Sequence, residues 1–274
     1  MPGLKQRLLS AGLLIPLMVA AIYFLPNGAF AIVLGLIAVI GLWEWAGLMG
    51  IGPFWDRWVY VMLVLPLMWT AGFVPEGFLI VTYAGVAGWL VGLAMILWFN
   101  ARPLATPSNW VVGGLSGAFV VVPAWMALVI LHGGTGFGPD YVLFLMVLVW
   151  LADTAAYFAG RYFGTHKLAV NVSPGKTWEG VWGAMSIALV MSLTGGHLLG
   201  IDAEKLPMFV SLCVITVAFS VVGDLFESMF KRRAGVKDSG NLLPGHGGIM
   251  DRIDSLTAAA PIFVTGLILM ESVG

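Results

Sequence analysis

The sequence is poor in cysteine and in charge. Its one cysteine, Cys213, lies inside an apolar run, so neither a disulfide framework nor a cysteine metal site can be built from it. Asp, Glu, Lys and Arg make up only 10% of the 274 residues and the net charge is -1, which excludes a bulk nucleic-acid surface. Strong repeats, low-complexity tracts and soluble linkers are also missing. What remains is apolar: 60% hydrophobic residues and a mean hydropathy of +0.97, against about 45–50% apolar and about 25% charged in soluble domains. A soluble fold could not hide that much apolar surface. Repeated stretches near the roughly 20 residues needed to cross a bilayer predict an all-α, polytopic transmembrane helical bundle.

Nine spans are expected, at about 8–25, 28–48, 59–74, 78–99, 111–131, 140–160, 180–200, 207–226 and 253–272. The first follows Lys5 and Arg7 as a signal peptide would, but eight spans follow it, and an uncleaved first helix is expected. With the N-terminus cytoplasmic, Lys5, Arg7, Arg57, Arg102, Arg161, Lys167, Lys176, Lys231, Arg232, Arg233, Lys237 and Arg252 fall on the cytoplasmic side, and only Lys205 lies outside. That bias is what the positive-inside rule requires, and it supports an odd number of spans with the C-terminus outside. Trp43, Trp45, Trp55, Trp58, Trp98, Trp110, Trp178 and Trp182 lie near the same ends, where indole rings anchor at headgroup level.

Acidic residues inside spans demand partners, because a charged group at mid-bilayer costs about 2.5–3.5 kcal/mol on insertion scales. Asp153 lies late in span six, and Asp224 and Glu227 close span eight. Spacing places Asp224, Glu227, Ser228 and Lys231 on one helical face. Asp251 and Asp254, three apart, repeat the acid pair at the start of span nine. Two uses are open. The acids can pair with Lys231, Arg232 or Arg252 to hold the intervening loop, or they can bind Mg²⁺, a hard cation that takes one or two carboxylates and completes its shell with phosphate oxygens.

Between the pairs lie four closely spaced cations and a glycine-rich turn. Gly245, Gly247 and Gly248 allow backbone amides to approach an anion, and His246 can bind phosphate, position a proton or cap the turn. Gly175-Lys176-Thr177 imitates the end of a phosphate-binding loop, but the required first glycine is Val170. Ser173 and Lys176 remain candidates for an anion ahead of span seven, with Arg161, His166 and Lys167 as weaker ones. Glu44 reads as an interfacial carboxylate, and His132 and His197 lie toward the outer side; none is given a site role. No serine hydrolase triad is visible, so Ser228 reads as a ligand or hydrogen-bond donor.

The run S-x-x-K-R-x4-K-D-x-G-x2-L-P-G-H-G-G-x-x-D-R-x-D, from Ser228 to Asp254, resembles the signature of CDP-diacylglycerol synthases, or phosphatidate cytidylyltransferases. Asp153-Thr-Ala-Ala-Tyr-Phe-Ala-Gly-Arg-Tyr-Phe-Gly-Thr-His-Lys167 and Ser173-Pro-Gly-Lys-Thr-Trp-Glu-Gly180 are similar to the same family. The resemblance divides the chain into an N-terminal multi-span region, 1–105, and a catalytic region, 106–274. It implies conversion of CTP and phosphatidate to CDP-diacylglycerol and pyrophosphate in phospholipid synthesis. The expected setting is a bacterial cytoplasmic (inner) membrane. Phosphatidate would arrive from the cytoplasmic leaflet and CTP from the cytosol; nucleic acid is not expected as a partner, and a homodimer is allowed.

On that reading Asp224 and Asp251 hold one or two Mg²⁺ ions, with Glu227 and Asp254 as further ligands. Lys231, Arg232, Lys237, His246 and Arg252 neutralise phosphates, and Ser173, Lys176, Ser228, Gly247 and Gly248 contact substrate. Two alternatives stand beside it. A CTP-dependent polyprenol or dolichol kinase would transfer the terminal phosphate to an alcohol. A cation-coupled transporter would use Asp153, Asp224 and Glu227 as ion ligands, but no charged path leads to the other surface.

Overall fold

The computed structural model describes the backbone of residues 2–71, 77–102, 110–134, 136–242 and 247–272. Among the described residues the chain forms α1 (Pro2–Phe24), α2 (Asn27–Leu48), α3 (Phe54–Ala71), α4 (Gly77–Ala101), α5 (Trp110–Gly133), α6 (Pro139–Phe163), β1 (Lys167–Ala169), β2 (Ser173–Thr177), α7 (Trp178–Leu198), α8 (Leu206–Arg233) and α9 (Met250–Ser272). Each expected span overlaps one helix, because a segment in hydrocarbon can satisfy its backbone only within itself. Seven of them, α2 and α4 to α9, have segments long and apolar enough to cross a membrane. The chain is an integral membrane protein on that ground. Among the described residues the apolar stretch of α1, Gly12–Phe24, and α3 are not in that set, so the structure supports seven of the nine expected spans.

One element is new relative to the all-α expectation. β1 and β2 pair antiparallel, with Lys167 opposite Thr177 and Ala169 opposite Ser173. Contacts from α4 and α8 hold this hairpin at the end of the bundle. Asn171 donates its backbone N–H to Oδ1 of Asn100 at 3.0 Å and its side-chain amide to the Asn100 carbonyl at 2.7 Å. Arg232 donates Nε to the Val172 carbonyl at 3.1 Å. Thr177 then opens α7 by accepting the Gly180 N–H at 3.2 Å, the usual role of a threonine N-cap.

Small residues set how closely the helices approach, as in membrane packing generally. A Cβ on Gly223 of α8 would lie 2.5 Å from the Asp254 carbonyl oxygen and 3.1 Å from Ala258 Cβ of α9. On Gly183 of α7 it would lie 2.6 Å from Ala159 Cβ of α6. Gly223 adjoins Asp224, so a close α8–α9 approach lies beside the acid pairs. Aromatic rings fill the rest: Phe144, Phe209 and Phe263 in one core, Trp45, Trp89, Phe226 and Phe230 in the other.

Trp45 corrects a sequence expectation. It is fully buried and donates Nε1 to the Gly113 carbonyl at 2.9 Å, so it locks α2 to α5 and is not a headgroup anchor. Trp55, Trp98, Trp178 and Trp182 are exposed, as anchors must be.

Candidate functional site

The site is built on α8. Its helical repeat puts Asp224, Glu227, Ser228 and Lys231 along one face, and the local contacts follow: Ser228 Oγ donates to Asp224 Oδ1 at 3.2 Å, and Lys231 Nζ to Glu227 Oε2 at 2.6 Å. Two neighbouring elements close on that face. From β2, Lys176 Nζ meets Asp224 Oδ2 at 2.7 Å. From the first turn of α9, Asp251 Oδ1 meets Lys231 Nζ at 2.7 Å. Asp254, one turn further along α9, feels the charges of both Asp224 and Glu227. Asp153 on α6 lies close enough to Asp224 and Lys176 to feel their charges. Four segments, α6, β2, α8 and α9, therefore deliver acids and lysines to one place.

Lys231 is the centre of the buried part. Its side chain is 12% exposed, while those of Glu227 and Asp251 are 1% and 6% exposed. Breaking such a pair leaves an uncompensated charge in a low dielectric. Asp251 is held further by its other oxygen: Oδ2 accepts the Ser239 N–H at 2.9 Å, the Ser239 hydroxyl at 3.1 Å and the Gly248 N–H at 2.8 Å. Gly247 adopts a left-handed φ of 81°, which suits glycine. The amide exposed by this glycine turn thus serves the chain's own carboxylate.

The pairing partners differ in part from those expected. Lys231 makes the ion pairs with Glu227 and Asp251, whereas Arg232 donates Nε to the hairpin. Lys237 is exposed, and Ser173 serves as the first residue of β2. His246 lies outside the described residues, as does Gly245. Arg161 donates to the Tyr157 hydroxyl at 2.8 Å, and His166 pairs with Glu179 at 2.7 Å, so both are engaged locally. His132 is a buried core residue, its ring nitrogens 3.1 Å from Asn27 Oδ1 and 2.9 Å from the Ile22 carbonyl.

Glu44 was misread. It is 3% exposed and, far from being an interfacial carboxylate, accepts the backbone N–H groups of Ile249 and Met250 at 3.0 and 2.9 Å and the Ser239 hydroxyl at 3.0 Å. Its only sequence signal was an acid embedded in an apolar run.

Comparison with known proteins defines the family. The model of the cytidylyltransferase family matches residues 5–270. A phosphatidate cytidylyltransferase of Pseudomonas aeruginosa is 39% identical over 260 residues, covering 95% of each chain. The enzyme of the same name from Haemophilus influenzae is 39% identical over 280 residues, covering 95% of this chain and 97% of its own. The chain belongs to the cytidylyltransferase family. A third cytidylyltransferase, from Brucella melitensis, is 37% identical over 218 residues, covering 78% of this chain and 73% of its own.

The carboxylates fit a divalent cation in charge and in chemistry, though not as an assembled cage. Among the described residues no three acidic, histidine or cysteine side chains converge around one point. Yet Oε1 of Glu227 is buried without a hydrogen-bond donor, an arrangement that normally demands explanation. The α8 and α9 acids, Asp224, Glu227, Asp251 and Asp254, outnumber Lys176 and Lys231 by two, and with Asp153 by three. Mg²⁺ needs only one or two protein carboxylates, with phosphate oxygens and water supplying the rest.

Proposed function

We propose that this cytidylyltransferase family member is a phosphatidate cytidylyltransferase. A phosphate oxygen of phosphatidate attacks the α-phosphorus of CTP, the bond from that phosphorus to the bridging oxygen of pyrophosphate breaks, and CDP-diacylglycerol and pyrophosphate result. The observation that carries the reading is the convergence of the α8 acids, the α9 acids and the two lysines within a chain that matches the named relatives over nearly its whole length.

The lipid brings its own nucleophile, so no covalent enzyme intermediate is required. The protein must bring two mutually repelling anions together, which is work for cations and positioning. Asp224 and Asp251 would hold Mg²⁺, with Glu227 and Asp254 beside them; one or two ions satisfy the set. The metal would neutralise phosphate charge and orient the triphosphate. Lys176 and Lys231 pair with these same acids and lie within reach of any phosphate bound there. Lys237, Arg232, Arg252 and His246 are assigned to screening the triphosphate or departing pyrophosphate. Ser173, Ser228, Gly247 and Gly248 complete the contact surface.

The reading includes nine spans, a cytoplasmic N-terminus and a site facing the cytoplasm of a bacterial inner membrane, with phosphatidate entering sideways from that leaflet. Positive charge supports this orientation. In a chain with Cys213 replaced, a cysteine beside Lys237 is expected to label only from the cytosol, and one beside Lys205 only from outside. Labelling of both from one side would contradict the topology.

Turnover by purified variants tests the chemistry. Lys176→Ala and Lys237→Ala are expected to raise the KM for CTP or phosphatidate by about tenfold or more, the scale of one charge-assisted contact, whereas Lys205→Ala leaves both near normal. A more damaging Lys205 change would place the active face on the wrong side.

A further inference from the structure

We propose that Glu44 of α2 is the positioning residue for the α8–α9 loop and for Asp251. This rests on the reading of Asp251 as a site residue. The first N–H groups of any helix have no partner within it, and a carboxylate there also complements the helix dipole. In α9 that carboxylate comes from 205 residues away: Glu44 Oε1 accepts from Ile249 at 3.0 Å and Oε2 from Met250 at 2.9 Å. The same side chain reaches Ser239 at 3.0 Å, and Ser239 in turn donates its N–H to Asp251 at 2.9 Å. A serine hydroxyl has one proton, so Ser239 stands between two carboxylates, one in the N-terminal region and one in the site.

Two signature glycines gain a reason from this arrangement. A Cβ on Gly240 would lie 2.5 Å from Glu44 Oε1, and a Cβ on Gly248 would run into Glu44 and the Ser239 hydroxyl. These positions are small because a buried acid from α2 fills the space. Glu44 therefore fixes the height of the first turn of α9, and with it the carboxylate that meets Lys231. The N-terminal region contributes to the site as well as to membrane insertion.

Glu44→Gln keeps the size of the side chain, but one of its two acceptor oxygens becomes an NH₂ group and the donors facing that atom lose their partner. In full-length purified protein its kcat is expected to fall by about 10²-fold, the cost of a displacement near 1 Å, with KM for CTP changed less than about threefold. Hydrogen exchange at Ser239, Ile249 and Met250 should accelerate while the amides of mid-α8 hold their protection. Glu44→Asp should recover part of the rate, and adding Ser239→Ala to Glu44→Gln should cost less than the two changes measured separately.

Near-normal turnover with unchanged exchange at Ile249 and Met250 would overturn the proposal. So would equal loss of protection throughout α2, α8 and α9, or failure of Glu44→Gln to accumulate in the membrane, since each would make Glu44 a support of the whole bundle. If Asp251→Asn turns over normally while Glu44→Gln loosens only the loop, the site assignment fails and the structural link stands.

Discussion

Asp224→Asn and Asp251→Asn are each expected to reduce turnover by on the order of 10²-fold or more while leaving the protein folded in the membrane, the scale for losing a preorganised electrostatic contact. Asparagine keeps the size and some of the hydrogen bonding but removes the charge. For Asp224 the change leaves Lys176 and Ser228 in place with a neutral partner; for Asp251 it leaves Lys231 with Glu227 alone. If these acids bind the catalytic metal, residual activity should require more Mg²⁺. If they serve only to pair with lysines, the variants lose stability, and the surviving protein keeps the wild-type Mg²⁺ titration. Near-normal turnover and an unchanged titration in both folded variants would remove them from the site.

Lys231→Met has the largest expected effect on stability. The ammonium group lies 2.6 Å from Glu227 and 2.7 Å from Asp251, both of whose side chains are buried. Removing it leaves two acids facing each other, and breaking a buried pair typically costs about 3–5 kcal/mol. Thermal or denaturant unfolding in detergent should show that loss together with the loss of turnover. Lys231→Arg should recover much of the stability and less of the activity, because a planar guanidinium cannot reproduce the placement of a compact ammonium group. Wild-type unfolding of Lys231→Met with turnover lost would mean that Lys231 acts on substrate alone and holds nothing together.

The sequence made some of this legible and concealed the rest for physical reasons. Apolar runs mark helices because hydrocarbon allows few alternatives, and the α8 face was readable because helical contacts are local: Ser228 to Asp224 and Lys231 to Glu227 are both four residues apart. Contacts between helices were not. Spacing set Lys231 beside Glu227, but nothing in it selected Lys231 over Arg232 or Arg252 as the partner of Asp251, and Lys176 was not matched to Asp224 at all. The hairpin was missed because its strands are only three and five residues long and depend on Asn100 and Arg232 for their place. Trp45 and Glu44 were both assigned to the interface by their position near a helix end. What decides their burial is the partner surface, Gly113 for the one and the first turn of α9 for the other.

The glycine turn shows how one motif can be recognised for a reason that is only partly right. Glycine was expected to expose amides to a bound anion, and the Gly248 amide does meet an anion, Asp251. A resemblance can mark such a position as fixed without saying what it touches; the packing around Glu44 supplies that.

Cytidylyl transfer itself is tested most directly by following both ends of the nucleotide into the lipid. Purified protein would be given phosphatidate, Mg²⁺ and CTP carrying one label in the cytidine and another in the terminal phosphate. The expected product is a lipid that retains cytidine, with the terminal label released as pyrophosphate in equal amount. A lipid that carries the terminal phosphate without cytidine, or CTP left intact with phosphatidate unchanged, would contradict it.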